Sequence, residues 1–587
     1  MNILHVSNSR YDFYVYVELY FMIVYGEMPF MWQWIGNTLN PYYEGTPLEQ
    51  CITEDRFIFL TLPNWHFGKD DTGDIMSKEN VHQLIERTKD VGPIQLVTAD
   101  GSFDCQGNPA EQEPMTHPLH LCEVVAGMSV LTKGGSLVVK KFTFFEIASV
   151  NLLYLLCCNF EIVTVYKPAT SKQGNSEVYV VARNYQGENQ KHLEHLMERY
   201  GAKSLDKSMF AQSDIPQDFL LQVQECVKKF KGYQVSTIER NLRLYNRMHE
   251  RDKQYNELLK SKATAMFFKN NYCEPITKDK MLTQGDVNHP RNLLDSDWQK
   301  TWSASLIRSG SNKCKLQHVK NYLAMFISEL ERELVDSEED PSVFDVSCDS
   351  PELDSLELQL RKGKSFEFVE SSKFCSEKIL RLFCETHRIY RSPNDNIKGN
   401  SILSEIAINN SFLKVVENKY PGSKVVQGCS SNPGPKSDCT TLETVIVWLE
   451  EGIQLKEGDN LLLVDILLLT RLQYGFLLLI STAFKRIVLY SQHKVSLEDS
   501  SDSCAPVLVL EGLRSVSAGE AVVRALHRCG WSPGAGAGGE GGLMQVLSFA
   551  SLVKDWDILH CLFSYNTKVC LHYSIQMNNY LQYPELS

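Results

Sequence analysis

Three polar residues stand where apolar runs begin or end. Asp100 closes "LVTAD", Lys140 lies near the end of "SLVVK", and Glu177 opens "EVYVV" after a turn rich in Ser, Gly and Asn. Two carboxylates and an ammonium gathered in one crevice suit a reaction in which a hydroxyl loses its proton as it attacks an electrophile. A lysine serves as the base only when burial or a like charge depresses its pKa, and the carboxylates then orient the ammonium and the attacking oxygen. If the electrophile is a sulfonium methyl group, neither a metal nor a covalent intermediate is needed. Lys140 and Lys141 are consecutive on a strand, so they face opposite sides of the sheet and only one enters the crevice. Singly, each residue is also what a strand-end charge reaching solvent looks like; three at the strand ends of one domain point to a site.

Such a trio needs a scaffold that brings strand ends together. From Phe30 to about Gln186, "MWQWIGNTLNP", "RFIFLTL", "IQLVTAD", "SLVVKKF", "EIVTVYKP" and "SEVYVVARNY" read as strands. Between them "HPLHLCEVVAGMSVLTKGG" and "FFEIASVNLLYLLCCNF" carry apolar residues at helical spacing, the first expected to end on Gly134. Alternating strands and helices predict an α/β fold with a doubly wound sheet that gathers ligands at the carboxyl ends of its strands. A residue at the carboxyl end of one strand and one at the amino end of an antiparallel neighbour then share a crevice.

Composition narrows the classes. The 587 residues allow two to four domains, and 43% hydrophobic with 22% charged residues describe a globular chain. A formal net charge of -13 argues against coating nucleic acid by bulk electrostatics, while leaving room for a local basic groove. The 17 cysteines form no CxxC pair, which disfavours zinc and disulfide frameworks and favours a reducing compartment. "YVYVELYFMIVYGEMPF" carries Glu18 and Glu27 without a basic flank, so neither a signal peptide nor a membrane anchor is expected. The absence of a GxGxxG turn after a strand removes a nicotinamide-dependent dehydrogenase.

Further along, residues 188–328 read as a polar helical connector. Lys228, Lys229, Lys231, Arg240, Arg243, Arg247 and Lys260, interleaved with Tyr233, Tyr245 and Tyr255, form either an RNA-facing strip or a solvated helix face. Residues 329–365 are expected to be an acidic linker. Beyond it, 366–587 repeats the earlier pattern: Gly134 to Pro168 lies without a gap against Gly458 to Gln492 as strand, helix and strand. Val464 then stands where the first copy has Lys140, and Pro506 where it has Glu177, so this second domain keeps a core and loses the polar site. "SPGAGAGGEGG" at Ser532 to Gly542 reads as a surface loop.

"LVTADGSFDCQGNP", "GGSLVVKKFTFFE", "KPATSKQGNSEVYVV", "WQWIGNTLNPYYE" and "DDTGDI" together resemble the Adrift-type, FtsJ-like ribose 2′-O-methyltransferases. The resemblance is dense over residues 31–187. It implies a Rossmann-like methyltransferase domain, the helical connector, and a degenerate, non-catalytic methyltransferase-like domain at 366–587. It also implies S-adenosylmethionine as donor and, as acceptor, the ribose 2′-hydroxyl of the second transcribed nucleotide of capped mRNA, with capped small nuclear RNA as a further candidate. Enzymes of the family use a Lys-Asp-Lys-Glu tetrad, of which Asp100, Lys140 and Glu177 match the last three, Lys140 as proton acceptor. Trp32 and Asp100 fall at cofactor-contacting positions, and Asp74 is a weaker cofactor candidate that is equally a turn or N-cap residue. No metal, membrane or named protein partner is implied, and the protein is expected in nucleus and cytoplasm.

Residues 1–30 are expected not to match. The resemblance calls there for a first strand, a glycine-containing cofactor loop and the first tetrad lysine, and none can be read in "MNILHVSNSRYDFYVYVELYFMIVYGEMPF". The expectations are an N-terminally incomplete enzyme or, alternatively, a catalytically inactive scaffold that binds capped RNA.

Overall fold

Short runs of Val, Ile, Leu and Ala flanked by turn residues become the strands of a seven-stranded sheet. They are β1 (Asn2–Ser7), β2 (Gln33–Asn37), β3 (Trp65–His66), β4 (Ile94–Asp100), β5 (Leu131–Lys141), β6 (Phe160–Tyr166) and β7 (Val178–Tyr185), in the order β3-β2-β1-β4-β5-β7-β6. All neighbours are parallel except β7, which runs antiparallel to β5 and β6. Helices α1 (Arg56–Leu60), α2 (Lys78–Val91), α3 (Gln112–Val130), α4 (Ile147–Asn159), α5 (Gln190–Glu198), α6 (Gln217–Leu244) and α7 (Glu250–Asn271) accompany it. This is a computed structural model; it describes residues 2–7, 33–271 and 344–582, apart from 202–208, 391–410, 428–436, 492–505, 532–541 and shorter stretches of one to three residues. Two units form, Met1–Asn40 with Glu49–Asn288, and Pro41–Leu48 with His289–Ser587. Among the described residues no helix is long and apolar enough to cross a membrane.

The first unit's core lies between sheet and helices. Val97, Leu137 and Ala182 of β4, β5 and β7 are fully buried, with Val124 of α3 and Leu152 of α4 against the same cluster. Each of the Val and Leu side chains contributes about 1.5–3 kcal/mol by leaving water.

Several expectations change. Asn2–Ser7, expected not to match, is an interior strand, with Ile3 to Val6 in register with both neighbours and Ser7 paired to Asp100. Six residues are too few for a periodicity signal; the two parallel partners supply the hydrogen bonds that make this stretch a strand. Residues 8–31, where a cofactor loop would follow, lie outside the described residues. "RFIFLTL" is not a strand: Arg56–Leu60 is helical, with Phe59 N–H donating to Asp55 O and the Thr61 hydroxyl to Phe57 O. Its aromatic Phe57 stacks on Trp34 at 5.7 Å, a contact that periodicity cannot foresee. Helix α3 ends at Val130, and Gly134 instead lies within β5 at φ +85°, in a bulge where the pairing shifts between Ile94 and Leu96.

Nor is the connector separate throughout. Val223 of α6 is buried in the first unit's core, with Phe219, Val227 and Phe230 packed on it, and that unit extends to Asn288. The stretch expected as acidic linker also contains structure, β8 (Phe344–Asp349) and β9 (Leu358–Gly363). Strand β8 is the edge of the second unit's sheet, where Asp349 keeps access to water, and Arg514 pairs with Glu352.

The second unit adds α8 (Glu377–Tyr390), α9 (Ser411–Lys419), β10 (Lys424–Gln427), α10 (Ser437–Glu451), β11 (Leu461–Val464), α11 (Arg471–Ser481), β12 (Phe484–Ser491), β13 (Val507–Leu513), α12 (Val516–Arg528), β14 (Gly542–Leu547), α13 (Phe549–Leu552) and α14 (Trp556–Gln582). Its five strands run β10-β11-β13-β12-β8, and β9 pairs with β14. β10 and β11 are parallel while β13 is antiparallel to both its neighbours, the arrangement of β4, β5, β7 and β6 in the first unit. The repeat read in sequence is thus repeated in topology. By register, Gln427 and Val464 stand at the places of Asp100 and Lys140, but Val507 stands at that of Tyr179, so Pro506 falls at the place of Val178 and not, as expected, at that of Glu177: strand pairing is offset by one residue from the gapless alignment. Ser532 to Gly541 of the glycine-rich stretch lie outside the described residues.

Candidate active site

Strand β1 pairs on one side with β2 and on the other with β4, so the order reverses there and a crevice opens beyond the carboxyl ends. Asp100 is the last residue of β4, and Lys140 the penultimate residue of the neighbouring β5. Ala99 pairs with Val139, which sets the two side chains side by side. The Lys140 ammonium lies 2.8 Å from Asp100 Oδ1, both side chains largely shielded at 13% and 24% exposure. It also lies 5.9 Å from the centre of the Phe142 ring.

Glu177 directly precedes β7, whose Tyr179 pairs with Lys140 across the sheet. Residues two apart on a strand share a face, and the Tyr179 hydroxyl donates to Glu177 Oε1 at 2.9 Å. Burial, with the negative charges of Asp100 and Glu177, pushes the Tyr179 phenol up, so it stays a protonated donor between the two carboxylates. Asp100 and Lys140 therefore meet, and Glu177 stands on the neighbouring strand bound to Tyr179, whose signal in the sequence was the i, i+2 spacing in "EVY".

A second cation stands beside Glu177. Lys167, just after β6, donates to the Glu177 carbonyl oxygen at 2.7 Å and to Asn175 Oδ1 at 2.7 Å, while Asn175 Nδ2 donates to Glu177 Oε2 at 3.1 Å. Burial lowers the Lys167 pKa against the opposing pull of Glu177.

Of the cofactor candidates, Trp32 lies outside the described residues. Asp74 is placed in a turn: its Oδ1 accepts from Met76 N–H at 2.8 Å, while Ser77 caps α2. Gly73 ahead of it has φ +74°, and a Cβ there would fall 1.9 Å from Thr38 O, so only glycine fits. At the carboxyl end of β2, Asn37 donates to His66 O at 2.9 Å, and its buried Oδ1 has no partner among the described residues.

Lys141 turns to the opposite side from Lys140, as strand alternation requires. It is buried 3.1 Å from His120 Nδ1. Burial lowers its pKa to about 8 and that of His117 to about 4, so His117 is neutral at physiological pH. In the same layer Glu123 Oε1 accepts from Gly101 N–H at 2.7 Å, fixing the residue that follows Asp100. Nothing in the sequence marked Glu123, which sits within an apolar helix.

Burial pushes the Glu123 carboxyl up to about 8. A carboxyl with a raised folded pKa contributes stability that is fully present below its unfolded value, and loses it as pH rises through about 8. Lys141 has the opposite sign and acts above about 8. Glu123→Gln keeps an acceptor for Gly101 and removes the titration. The wild type is expected to lose stability relative to this variant between pH 5 and 8, by at most about 1.4 kcal/mol per pH unit. Denaturant unfolding at both pH values checks this; parallel curves would contradict it.

Comparison with known proteins places these motifs. Residues 20–185 match the FtsJ-like methyltransferase family, a match that begins ahead of Met31, where the resemblance was expected to start. The chain is 38% identical over 365 residues to the Mus musculus cap-specific mRNA (nucleoside-2'-O-)-methyltransferase 2, covering 61% of this chain and 47% of that protein. It is 43% identical over 259 residues to the Danio rerio protein of the same name, covering 44% and 35%. For the Drosophila melanogaster one, identity is 40% over 255 residues, covering 42% and 36%. The matched region spans less than half the length of each relative.

Proposed function

With an FtsJ-like methyltransferase domain at residues 20–185 as the premise, we propose that this protein transfers a methyl group from S-adenosylmethionine to the ribose 2′-hydroxyl of the second transcribed nucleotide of capped mRNA. The observation that carries the reading is the Lys140–Asp100 pair at 2.8 Å, held at the carboxyl ends of adjacent parallel strands with Glu177 and Tyr179 beside it. Similarity to relatives named for capped mRNA supplies the substrate class.

The crevice fits a nucleoside-bearing donor. A buried carbonyl oxygen at Asn37 and a carboxylate at Asp100 offer acceptors to hydroxyl and ammonium groups at the strand ends. Asp100, with Asn37 and Asp74, would hold the cofactor, which when bound supplies an electrophilic methyl. Lys140 is the proton-handling group: its Nζ faces the crevice and, as the neutral amine, takes the proton of the attacking hydroxyl and becomes the ammonium. Asp100 fixes the ammonium, and Glu177, held by Tyr179 and Asn175, orients the ribose. The enclosure around the pair excludes water and strengthens these interactions.

The test uses the full chain, labelled S-adenosylmethionine and capped RNA already methylated on its first nucleotide, with nuclease mapping of the label. Label on the second ribose supports the reading, and label elsewhere or none overturns it. Saturable RNA binding without cofactor binding would instead identify a capped-RNA scaffold.

A further inference from the structure

A cavity open to solvent lies next to Glu177, between the turn that leads into β7 and helix α6. From the sheet side come Phe145, Lys167 and Asn175; from α6 come Val227, Phe230, Lys231 and Gln234. Those four α6 residues are spaced i, i+3, i+4 and i+7, a single stripe on one helix face. The turn and the helix are packed closely: a Cβ on Gly174 would fall 2.8 Å from Thr237 Cγ2. Helix α6 is anchored by Val223 in the core, so the stripe is presented on a fixed element.

The lining combines three kinds of group. Phe145, 58% exposed, and the half-buried Phe230 offer aromatic faces. Lys167 and Lys231 offer cations, and Lys228 and Lys229 continue the positive charge along the exposed side of α6. Asn175 and Gln234 offer amides that both donate and accept. Lys167 and Asn175 also hold Glu177, so an occupant of this cavity lies one group away from the candidate methyl-acceptor position. Aromatic faces, cations and amides in one cavity are what a nucleotide demands: stacking for the base, charge for the phosphate, paired hydrogen bonds for a base edge.

The geometry assigns this cavity to one transcript nucleotide on the strand flanking the target ribose, its base against Phe145 and Phe230 and its phosphate at Lys167 and Lys231. The assignment rests on the methyltransferase reading for its choice of RNA. Because every base has a π face, the site accepts any sequence. It gives the basic face of α6 a purpose: the exposed lysines track the backbone leading away from the cavity.

The experiment measures binding of a fluorescent 12-nucleotide RNA, capped and uncapped, to the full chain by anisotropy at two salt concentrations. Phe230→Ala is expected to weaken both RNAs roughly 10-fold through lost stacking. Lys231→Glu, on the exposed helix surface where folding is not at stake, is expected to weaken both and to flatten the logarithmic salt dependence by about one or more. Oligonucleotides carrying 4-thiouridine are expected to cross-link within residues 227–234. Wild-type affinity in both variants, a loss confined to the capped RNA, or cross-links confined elsewhere would each overturn the assignment. A wild-type chain that binds RNA with these dependences yet transfers no methyl group defeats the methyltransferase reading and leaves the cavity assigned; one that binds no RNA defeats both.

Discussion

Lys140→Ala is expected to lower methyl transfer roughly 10²–10⁴-fold, the usual range for loss of a positioned proton-transfer group. Binding of S-adenosylmethionine and of capped RNA should stay within about threefold of wild type, because the side chain acts on the proton rather than on affinity. The reasons are geometric. Lys140 lies 2.8 Å from Asp100 in a largely shielded crevice, and no neighbouring side chain on its strand can replace it: Lys141 faces the other side and is engaged with His120. Lys140→Arg is not expected to rescue transfer, since a guanidinium keeps the charge but does not give up its proton. Rates measured with labelled donor, alongside calorimetric titration of the donor, separate the two effects. Transfer within tenfold of wild type in Lys140→Ala would remove the lysine from the proton-handling role.

Arg471→Met should destabilise the second unit by about 3–5 kcal/mol, the usual cost of leaving a buried charge without its partner. Glu44 and Arg471 are nearly fully enclosed, at 4% and 3% side-chain exposure, with Arg471 Nε 3.3 Å from Glu44 Oε1. Glu44 Oε1 also accepts from Arg471 N–H at 2.6 Å, and the guanidinium reaches Gln545 Oε1 at 3.2 Å. Burial pushes the Glu44 carboxyl up while Arg471 pulls it down. Without the guanidinium its charge and side-chain hydrogen bond no longer oppose burial, and only backbone hydrogen bonds still pull the carboxyl down, so its pKa moves further up. A raised carboxyl pKa favours the fold below the unfolded value and loses that contribution as pH rises, so the deficit should be smaller at pH 5 than at pH 8. The double variant Glu44→Gln/Arg471→Met should recover part of the loss. Denaturant dependence of hydrogen exchange over residues 471–481 reads this unit specifically; a loss under 1 kcal/mol at pH 8 would show that the pair is dispensable.

How legible this was differs by scale. Asp100, Lys140 and Glu177 could be read because each interrupts an apolar run at its end, and strand alternation alone separated Lys140 from Lys141. The second unit's repeat was visible because strand, helix and strand recur without a gap. Tyr179 and Lys167 were present in the quoted motifs, yet their partners lie across the sheet and beyond a turn, and a linear pattern does not show such distances. Asp74 was ambiguous in sequence, and the hydrogen bond to Met76 places it in a turn.

Local chemistry decided the elements whose signal is carried by their own residues: β4, β5, β6 and β7, helix α4, and the polar trio at the strand ends. What needed the tertiary structure are the elements whose identity comes from neighbours. Asn2–Ser7 is a strand because two parallel strands complete its hydrogen bonds, Arg56–Leu60 is a helix whose Phe57 stacks on Trp34, and Phe344–Asp349 is the edge of a sheet rather than a linker. The cavity beside Glu177 belongs to the same class. Its two walls are separated by about fifty residues of chain, and only packing of α6 on the core of the first unit brings Phe230 and Lys231 to the turn that holds Lys167. Side-chain type and period are properties of a sequence; the meeting of distant backbone partners is a property of the fold, because desolvation and hydrogen bonding reward contacts without regard to their separation along the chain.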